Sequence, residues 1–373
     1  MSRSTYNLGQ LGWHGFFEAH FGEYEKQGLV PARVAEEHRG RYLLYGDGFS
    51  CSGEVSGRFR HQSRSRGDFP AVGDWVAVEP RPESDLAIIH AVLGRRSSFS
   101  RKAVLSGGMP NSGGKADEQV LAANIDTVFL VTGLDDNYSL RRIERYVSIT
   151  WDSGATPVIV LNKADVCEEV TARIDEVQAV AVGVPVHAVS AINGDGLEPL
   201  QAYLEPGRTV AFLGSSGVGK STLINCLLGE ERLATQSVRE YDGKGRHTTT
   251  FRQLIPLPSG GIVIDTPGMR EIQAWSDSEG LSRTFEDIEA LAERCRFADC
   301  KHADEPGCAV REALEDGSLD EKRYRNYLQL LKENRHLELR KNEGERRRTE
   351  REWDKTVRNY FKSMKELRKK GLA

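Results

Sequence analysis

The sequence predicts a multi-domain α/β protein in three parts: a small N-terminal OB-like β-barrel, a mainly parallel α/β domain and an α-helical C-terminal region. Three observations predict it. At 373 residues the chain exceeds one typical domain. Short strand-and-turn patterns fill residues 30–105, and strands alternate with helices from about 119. From about 276 onward helical spacing takes over.

Residues 1–29 read as an N-terminal extension, partly helical. In the barrel region, 30–105, "RYLLYGDGFSCSGEV" reads as two strands around a Gly-Asp-Gly turn, and "DWVAVEP" and "LAIIHAVL" are further strands. Several strands in so short a stretch suit a small barrel, which removes exposed edges by closing on itself. The loop "GRFRHQSRSRGDFP" carries Arg58, Arg60, Arg64 and Arg66. A solvated loop is the plain reading, and on an OB-like barrel a basic loop is also where nucleic acid binds. "SGGMPNSGGKADE", 106–118, is a Gly/Ser-rich linker.

The α/β domain spans 119–275. "DTVFLVTG", "PVIVLNKAD", "VPVHAVSA", "RTVAFLG", "HTTTFRQLIPL" and "GGIVIDTPG" read as its strands, and "LRRIERYVSITWDSG", "EEVTARIDEVQAVAVG" and "STLINCLLG" as its helices. That alternation gives a sheet covered on both faces. Composition is 39% hydrophobic and 28% charged, with net charge −4, so affinity for nucleic acid must come from local basic patches. No apolar run approaches the roughly twenty residues of a membrane span. The N-terminus lacks an apolar signal core, so a cytoplasmic protein without a membrane partner is expected.

"GSSGVGKST" runs through Gly214, Ser215, Ser216, Gly217, Val218, Gly219, Lys220, Ser221 and Thr222 and matches G-x-x-x-x-G-K-[ST]. Glycines let backbone N–H groups wrap phosphates, Lys220 reaches the β- and γ-phosphates, and the Ser221 hydroxyl binds Mg²⁺. The following helix adds a favourable dipole. "NKAD", Asn162, Lys163, Ala164 and Asp165, names the base. An Asp there accepts from guanine N1–H and the N2 amino group, donors that adenine lacks. Asn162 and Lys163 brace the base and the phosphate loop. In "SAING", the Ser190–Ala191 backbone meets guanine O6.

"DTPG" places Asp265 on Mg²⁺ through water and Gly268 at the γ-phosphate. "GRHTTT" offers Thr249 or Thr250 to Mg²⁺. The order is thus guanine readers, phosphate loop, switch I, switch II, which is a circularly permuted GTPase domain. Permutation is tolerated when old termini lie close and new ones open at the surface. The segment that senses the γ-phosphate then runs directly into the next domain through Met269–Trp275. Met269 stands where many GTPases carry a water-orienting Gln, and His247 is the substitute candidate. With Gly217 at its position, no monovalent ion is inferred.

"CRFADCKHADEPGC" spaces Cys295, Cys300, His302 and Cys308 as C-x₄-C-x-H-x₅-C. Three thiolates and one imidazole suit one tetrahedral structural Zn²⁺. Cys51, Cys167 and Cys226 read as small buried side chains, and the remaining histidines as structural or solvated. The helical zinc-binding region spans 276–373 and ends in a basic tail, where Trp353, Val357, Phe361, Met364 and Leu367 form one helical stripe.

"PAVGDWV", "EQVLAANIDTVFLV", "GSSGVGKST", "GRHTTT", "DTPGMRE" and "CRFADCKHADEPGCAV" together resemble the RsgA (YjeQ) family of bacterial GTPases over roughly 30–310. The resemblance implies GTP hydrolysis to GDP stimulated by the 30S ribosomal subunit during its late maturation. It further implies 16S rRNA contact through the barrel and the zinc domain, and release after hydrolysis. A monomer is expected. The alternatives are a GTP-regulated RNA-binding module with little turnover and a P-loop phosphotransferase, which would not need both "NKAD" and "SA".

Overall fold

A computed structural model of the chain describes residues 2–3, 6–38, 40–103, 117–230, 252–265 and 279–339. A two-residue strand, β1 (Ser2–Arg3), pairs with the barrel. Helix α1 (Gly15–Glu25) then buries Phe17 and Phe21. His14 caps it, its Nδ1 accepting from the Phe16 N–H. The Trp13 ring stands edge-on to Trp75 at 4.7 Å, so the extension packs on the outer face of the barrel strand that carries Trp75 and Ala77.

The barrel consists of β2 (Val30–His38), β3 (Arg41–Gly46), β4 (Phe49–Val55), β5 (Trp75–Arg81) and β6 (Leu86–Val92). Antiparallel pairs join β2 to β3, β3 to β4, β5 to β6 and β2 to β5. A parallel pair between β4 and β6 closes the ring. The predicted turn links β3 to β4 through Asp47 and Gly48, and Gly48 takes a φ of 71° that favours glycine. The basic loop contains a short helix the sequence reading does not place, α2 (Gly57–Gln62). Ser56 starts it by accepting from the Phe59 N–H at 3.1 Å.

Strands β7 (Ser98–Ala103) and β8 (Asp117–Ala123) form a separate antiparallel pair across the Gly/Ser-rich stretch. Residues 117 and 118, assigned to the linker from sequence, begin β8. The rest of that linker lies outside the described residues.

The α/β domain follows as β9 (Thr127–Gly133), α3 (Leu140–Asp152), β10 (Thr156–Asn162), α4 (Val170–Val180), β11 (Val186–Ala188), β12 (Thr209–Leu213), α5 (Lys220–Leu228), β13 (Gln253–Pro256) and β14 (Ile262–Asp265). Its strands lie in the order β13-β14-β12-β9-β10-β11, parallel except for β13. The sheet separates two apolar layers, one holding Ile143 and Val147 of α3, the other Leu223 and Ile224 of α5. At its edge β13 pairs antiparallel with barrel strand β2, Gln253 opposite Glu36, so barrel and domain share one continuous sheet.

Four helices complete the described chain: α6 (Glu279–Thr284), α7 (Glu286–Glu293), α8 (Ala309–Glu315) and α9 (Glu321–Leu339). Leu281, Phe285, Ile288, Val310 and Tyr324 form their core. The stripe from Trp353 to Leu367 lies outside the described residues. Among those residues, no helix is long and apolar enough to cross a membrane. Cys51 is buried, but Cys226 is exposed, contrary to expectation. Its thiol donates to the Ala191 carbonyl at 3.0 Å.

Candidate functional site

The predicted nucleotide-binding motifs gather at one edge of the α/β sheet, beyond the carboxyl ends of its parallel strands, where ligands bind in such folds. β12 runs into the phosphate loop, and α5 begins at Lys220. Gly217 and Gly219 take φ of 78° and 93°, which side-chain-bearing residues rarely adopt. A Cβ on Gly219 would stand 2.2 Å from Asn162 Nδ2, and one on Gly214 2.3 Å from the Val131 carbonyl. The glycines are therefore needed for close approach as well as for turning. Lys220 Nζ lies over the loop, donating to the Gly214 and Ser215 carbonyls at 2.8 and 2.6 Å.

Asn162, at the end of β10, is buried and joins three segments. Its Nδ2 donates to the Val218 carbonyl of the phosphate loop at 2.8 Å. Its Oδ1 accepts from the Ala191 N–H at 3.0 Å. Next to it Lys163 adopts a left-handed φ of 66°, and its Nζ donates to Asp135 Oδ2 at 2.6 Å. Asp165 follows, and Ser190 Oγ donates to its Oδ1 at 2.6 Å. One side-chain amide thus fixes the spacing between the 214–222 loop and the Ser190–Ala191 loop, whose Ser190 in turn holds Asp165.

Two residues at this edge escaped the sequence reading. Asp135 lies in the loop after β9. Burial would raise its pKa, but hydrogen bonds from Lys163 and the Asn137 N–H hold it below the ordinary carboxylate range. Arg142, in the first turn of α3, donates from Nη1 to the Ser215 hydroxyl and to the Asn137 carbonyl, both at 3.1 Å. Both follow the carboxyl end of a central strand, a topological signal available only once strand order is known.

Asp265 ends β14, which neighbours β12, so it opens to the same edge as Ser221 on the first turn of α5. His247, Thr249, Thr250, Gly268 and the Met269–Trp275 junction lie outside the described residues.

Ligand atoms of Cys295, Cys300, His302 and Cys308 all lie within 4.8 Å of one another. His302 Nδ1 stands 3.5 Å from Cys295 Sγ and 3.4 Å from Cys308 Sγ, and the two sulfurs are 3.9 Å apart. Tetrahedral bonds of about 2.3 Å to sulfur require sulfur–sulfur edges of about 3.8 Å, so the cluster has the right size for one Zn²⁺. This group can hold one metal ion. His302 takes a left-handed φ of 55° within this cluster.

The comparisons with known proteins agree with this geometry. A family model described as RsgA GTPase matches residues 92–275. A second, described as ABC transporter, matches 197–362. Both contain the phosphate loop, but Asn162–Asp165 and Ser190–Ala191 lie only in the first. The chain is 48% identical over 336 residues to a small ribosomal subunit biogenesis GTPase RsgA of Opitutus terrae, covering 87% of this chain and 89% of that protein. It is 40% identical to the protein of that name from Streptomyces avermitilis, covering 94% and 92%. Among solved structures, YjeQ from Thermotoga maritima matches with a TM-score of 0.60 and 29% identity, over 82% of this chain and 98% of that one. YloQ, a circularly permuted GTPase, shares the fold at a TM-score of 0.55 and 23% identity, over 82% and 95%.

Proposed function

The chain belongs to the RsgA family of circularly permuted GTPases, and on that premise we propose that it binds the small (30S) ribosomal subunit and assists its late maturation. In this reading it hydrolyses GTP to GDP and phosphate, faster on the subunit than alone. The relatives' names supply the ribosomal role. The observation that carries the nucleotide half is Asn162, whose one amide holds the phosphate loop and the Ser190–Ala191 loop at fixed spacing.

Within that site, Asp165 reads guanine, with Ser190 and Ala191 at O6. Asn162, Lys163 and Ala164 brace the base. Gly214 to Thr222 wrap the phosphates, with Lys220 neutralising charge. Ser221 and Asp265 hold Mg²⁺, with Thr249 or Thr250, and Gly268 contacts the γ-phosphate. His247 orients the attacking water in place of the Gln that Met269 replaces. Cys295, Cys300, His302 and Cys308 hold one structural Zn²⁺, favoured by three thiolates and one imidazole with no open position.

The domain division follows the same reading: barrel 30–105, permuted GTPase 119–275, zinc-binding helical region 276–373. The barrel and the zinc region contact 16S rRNA, the protein acts as a monomer, and it works in the cytoplasm, where ribosomes are assembled.

The test is the GTPase rate with and without purified 30S subunits, using wild type and Asp165→Asn. Stimulation in wild type is expected, with a much weaker GTP response in the variant and partial acceptance of xanthosine triphosphate. A rate indifferent to 30S sinks the ribosomal reading. An Asp165→Asn protein that binds GTP as wild type does sinks the base assignment.

A further inference from the structure

Helix α3 holds the nucleotide edge and the C-terminal helices at the same time. At its first turn, Arg142 grips the Ser215 hydroxyl and the Asn137 carbonyl at 3.1 Å each. The carbonyl of the same Ser215 accepts from Lys220 Nζ at 2.6 Å. Arg142 therefore fixes the residue whose other polar group positions the phosphate-binding lysine.

Further along the helix the partners change. Glu144 is buried and accepts from Arg323 Nη1 and, at 2.5 Å, from Asn326 Nδ2, both on α9. Arg323 also pairs with Asp287 of α7 and donates to the carbonyls of Val180 and Thr284 at 3.0 Å each. Arg145 meets Glu333 of α9 at 3.1 Å. At the far end, Asp152 Oδ1 accepts from the Gly280 N–H of α6 at 2.7 Å, and the Arg283 guanidinium lies 3.4 Å over the Trp151 ring. A Cβ on Gly280 would stand 2.4 Å from the Ser148 carbonyl, so α6 is seated on α3 with no slack.

We propose that Arg142 is a positioning residue of the phosphate loop, and that α3 carries the state of that loop to the C-terminal helices. This route is separate from the chain connection through 266–278. It rests on the reading of 214–222 as the phosphate-binding loop. Phosphate oxygens entering that loop compete with the two carbonyls for Lys220. The loop must then be held from outside, and Arg142 is the outside contact on its second residue. A hydrogen-bonded helix of 13 residues is stiff, so a shift at its first turn reaches the Glu144–Arg323 cluster as a rigid movement. Linkage makes the effect reciprocal: whatever strengthens the docking of α9 on α3 changes nucleotide affinity by the same factor.

The test uses the full chain with GTP for kinetics and GDP or a non-hydrolysable GTP analogue for binding, in Arg142→Ala and Arg142→Lys. Arg142→Ala is expected to raise KM for GTP by about five- to tenfold while kcat changes by less than twofold, since the contact is to the loop and not to the reacting atoms. Arg142→Lys, which keeps one donor, should recover part of the loss. Hydrogen exchange over 321–339 should slow when nucleotide binds wild type, and this response should vanish in Arg142→Ala at saturating nucleotide. An unchanged KM, a wild-type 321–339 segment indifferent to nucleotide, or a response that survives in Arg142→Ala overturns the proposal. Wild-type binding of GDP, lost in Lys220→Ala, checks the loop itself. A wild type that binds no GDP therefore counts against the site reading, whereas one that binds GDP without affecting 321–339 counts against the α3 route.

Discussion

The barrel and the C-terminal helices are both fastened to the α/β domain, but by different chemistry. The barrel is joined through backbone. β2 continues the sheet at β13, with Gln253 opposite Glu36, and the Gln253 amide donates to Glu36 at 2.6 Å. Behind that seam Arg33 is fully buried. It donates to the carbonyls of Leu11, Gly73 and Asn124 at 2.5, 3.2 and 3.1 Å and to Thr209 Oγ1 at 2.9 Å. One guanidinium thus ties together the extension, the barrel, the β8–β9 connection and the strand that leads into the phosphate loop. Burial lowers its pKa to about 10, against the pull of Asp126 and Asp74, so it stays charged at neutral pH.

The C-terminal helices share no strand with the domain among the described residues. Their docking converges on Arg323 and its two carboxylates, Glu144 and Asp287. Burial raises the pKa of Glu144, opposed by Arg323 and the Asn326 amide. The barrel junction thus combines a shared strand pair with one buried cation that donates to carbonyls and a hydroxyl. The C-terminal junction has no strand pair among the described residues; Arg323 is its buried centre, with Arg145–Glu333 and Asp152–Gly280 beside it, so it can be loosened without breaking the sheet. The difference suits a fixed barrel and the nucleotide-responsive C-terminal region proposed above.

Metal removal probes this contrast most strongly. Structural zinc contributes on the order of 10 kcal/mol to small zinc-dependent folds. Chelation, or Cys300→Ser, should unfold the region around 295–308 and leave the barrel and sheet folded, as read by hydrogen exchange. Loss of protection in β2 and β13 as well would mean the two junctions are one cooperative unit.

Next in size is Arg33→Met. It strands the buried Leu11 and Asn124 carbonyls, while the Gly73 carbonyl keeps the Asn124 amide, and should cost about 3 kcal/mol of global stability, measured by urea unfolding. A cost below about 1 kcal/mol would remove Arg33 as the pin of the barrel seam.

Arg323→Met should cost about 2 kcal/mol, less than removing a partner usually does, because Glu144 can take up a proton once its cation is gone. The loss should appear as faster exchange in 321–339 with the urea midpoint of the α/β sheet little changed. An equal fall in both would show that the C-terminal helices are as integral as the barrel.

The smallest effect belongs to Asp135→Asn, which breaks the half-exposed pair with Lys163. About 0.5–1 kcal/mol of nucleotide affinity should be lost, a few-fold in Kd. Asp135 has a lowered folded pKa, so its contribution is present above the ordinary carboxylate range and fades as pH falls through the folded value. Wild type and variant should therefore converge on the acid side. A difference that persists to low pH would assign the loss to something other than the carboxylate charge.

Which of these features could be read in advance follows a physical line. The placement of 214–222, "NKAD" and the cysteine cluster was legible because each is contiguous and its shape depends on local backbone. Glycines at 217 and 219 permit the left-handed turns, and the spacing of Cys295, Cys300, His302 and Cys308 lets one short stretch surround a metal. The barrel was legible from strand alternation and its Gly-Asp-Gly turn, and the permuted order from the motif sequence alone. The β7–β8 pair was not, because its strands are separated by the Gly/Ser-rich stretch and nothing local sets their register. Nor was the exposure of Cys226, which depends on which face of α5 meets the Ala191 loop. Sequence likewise showed four unremarkable charges at Asp135, Arg142, Glu144 and Arg323. Only tertiary structure decided that the first two flank the nucleotide edge and that the last two, far apart in the chain, meet in a buried cluster. Local backbone chemistry is written in neighbouring residues; the burial and pairing of a charge are set by how whole elements dock.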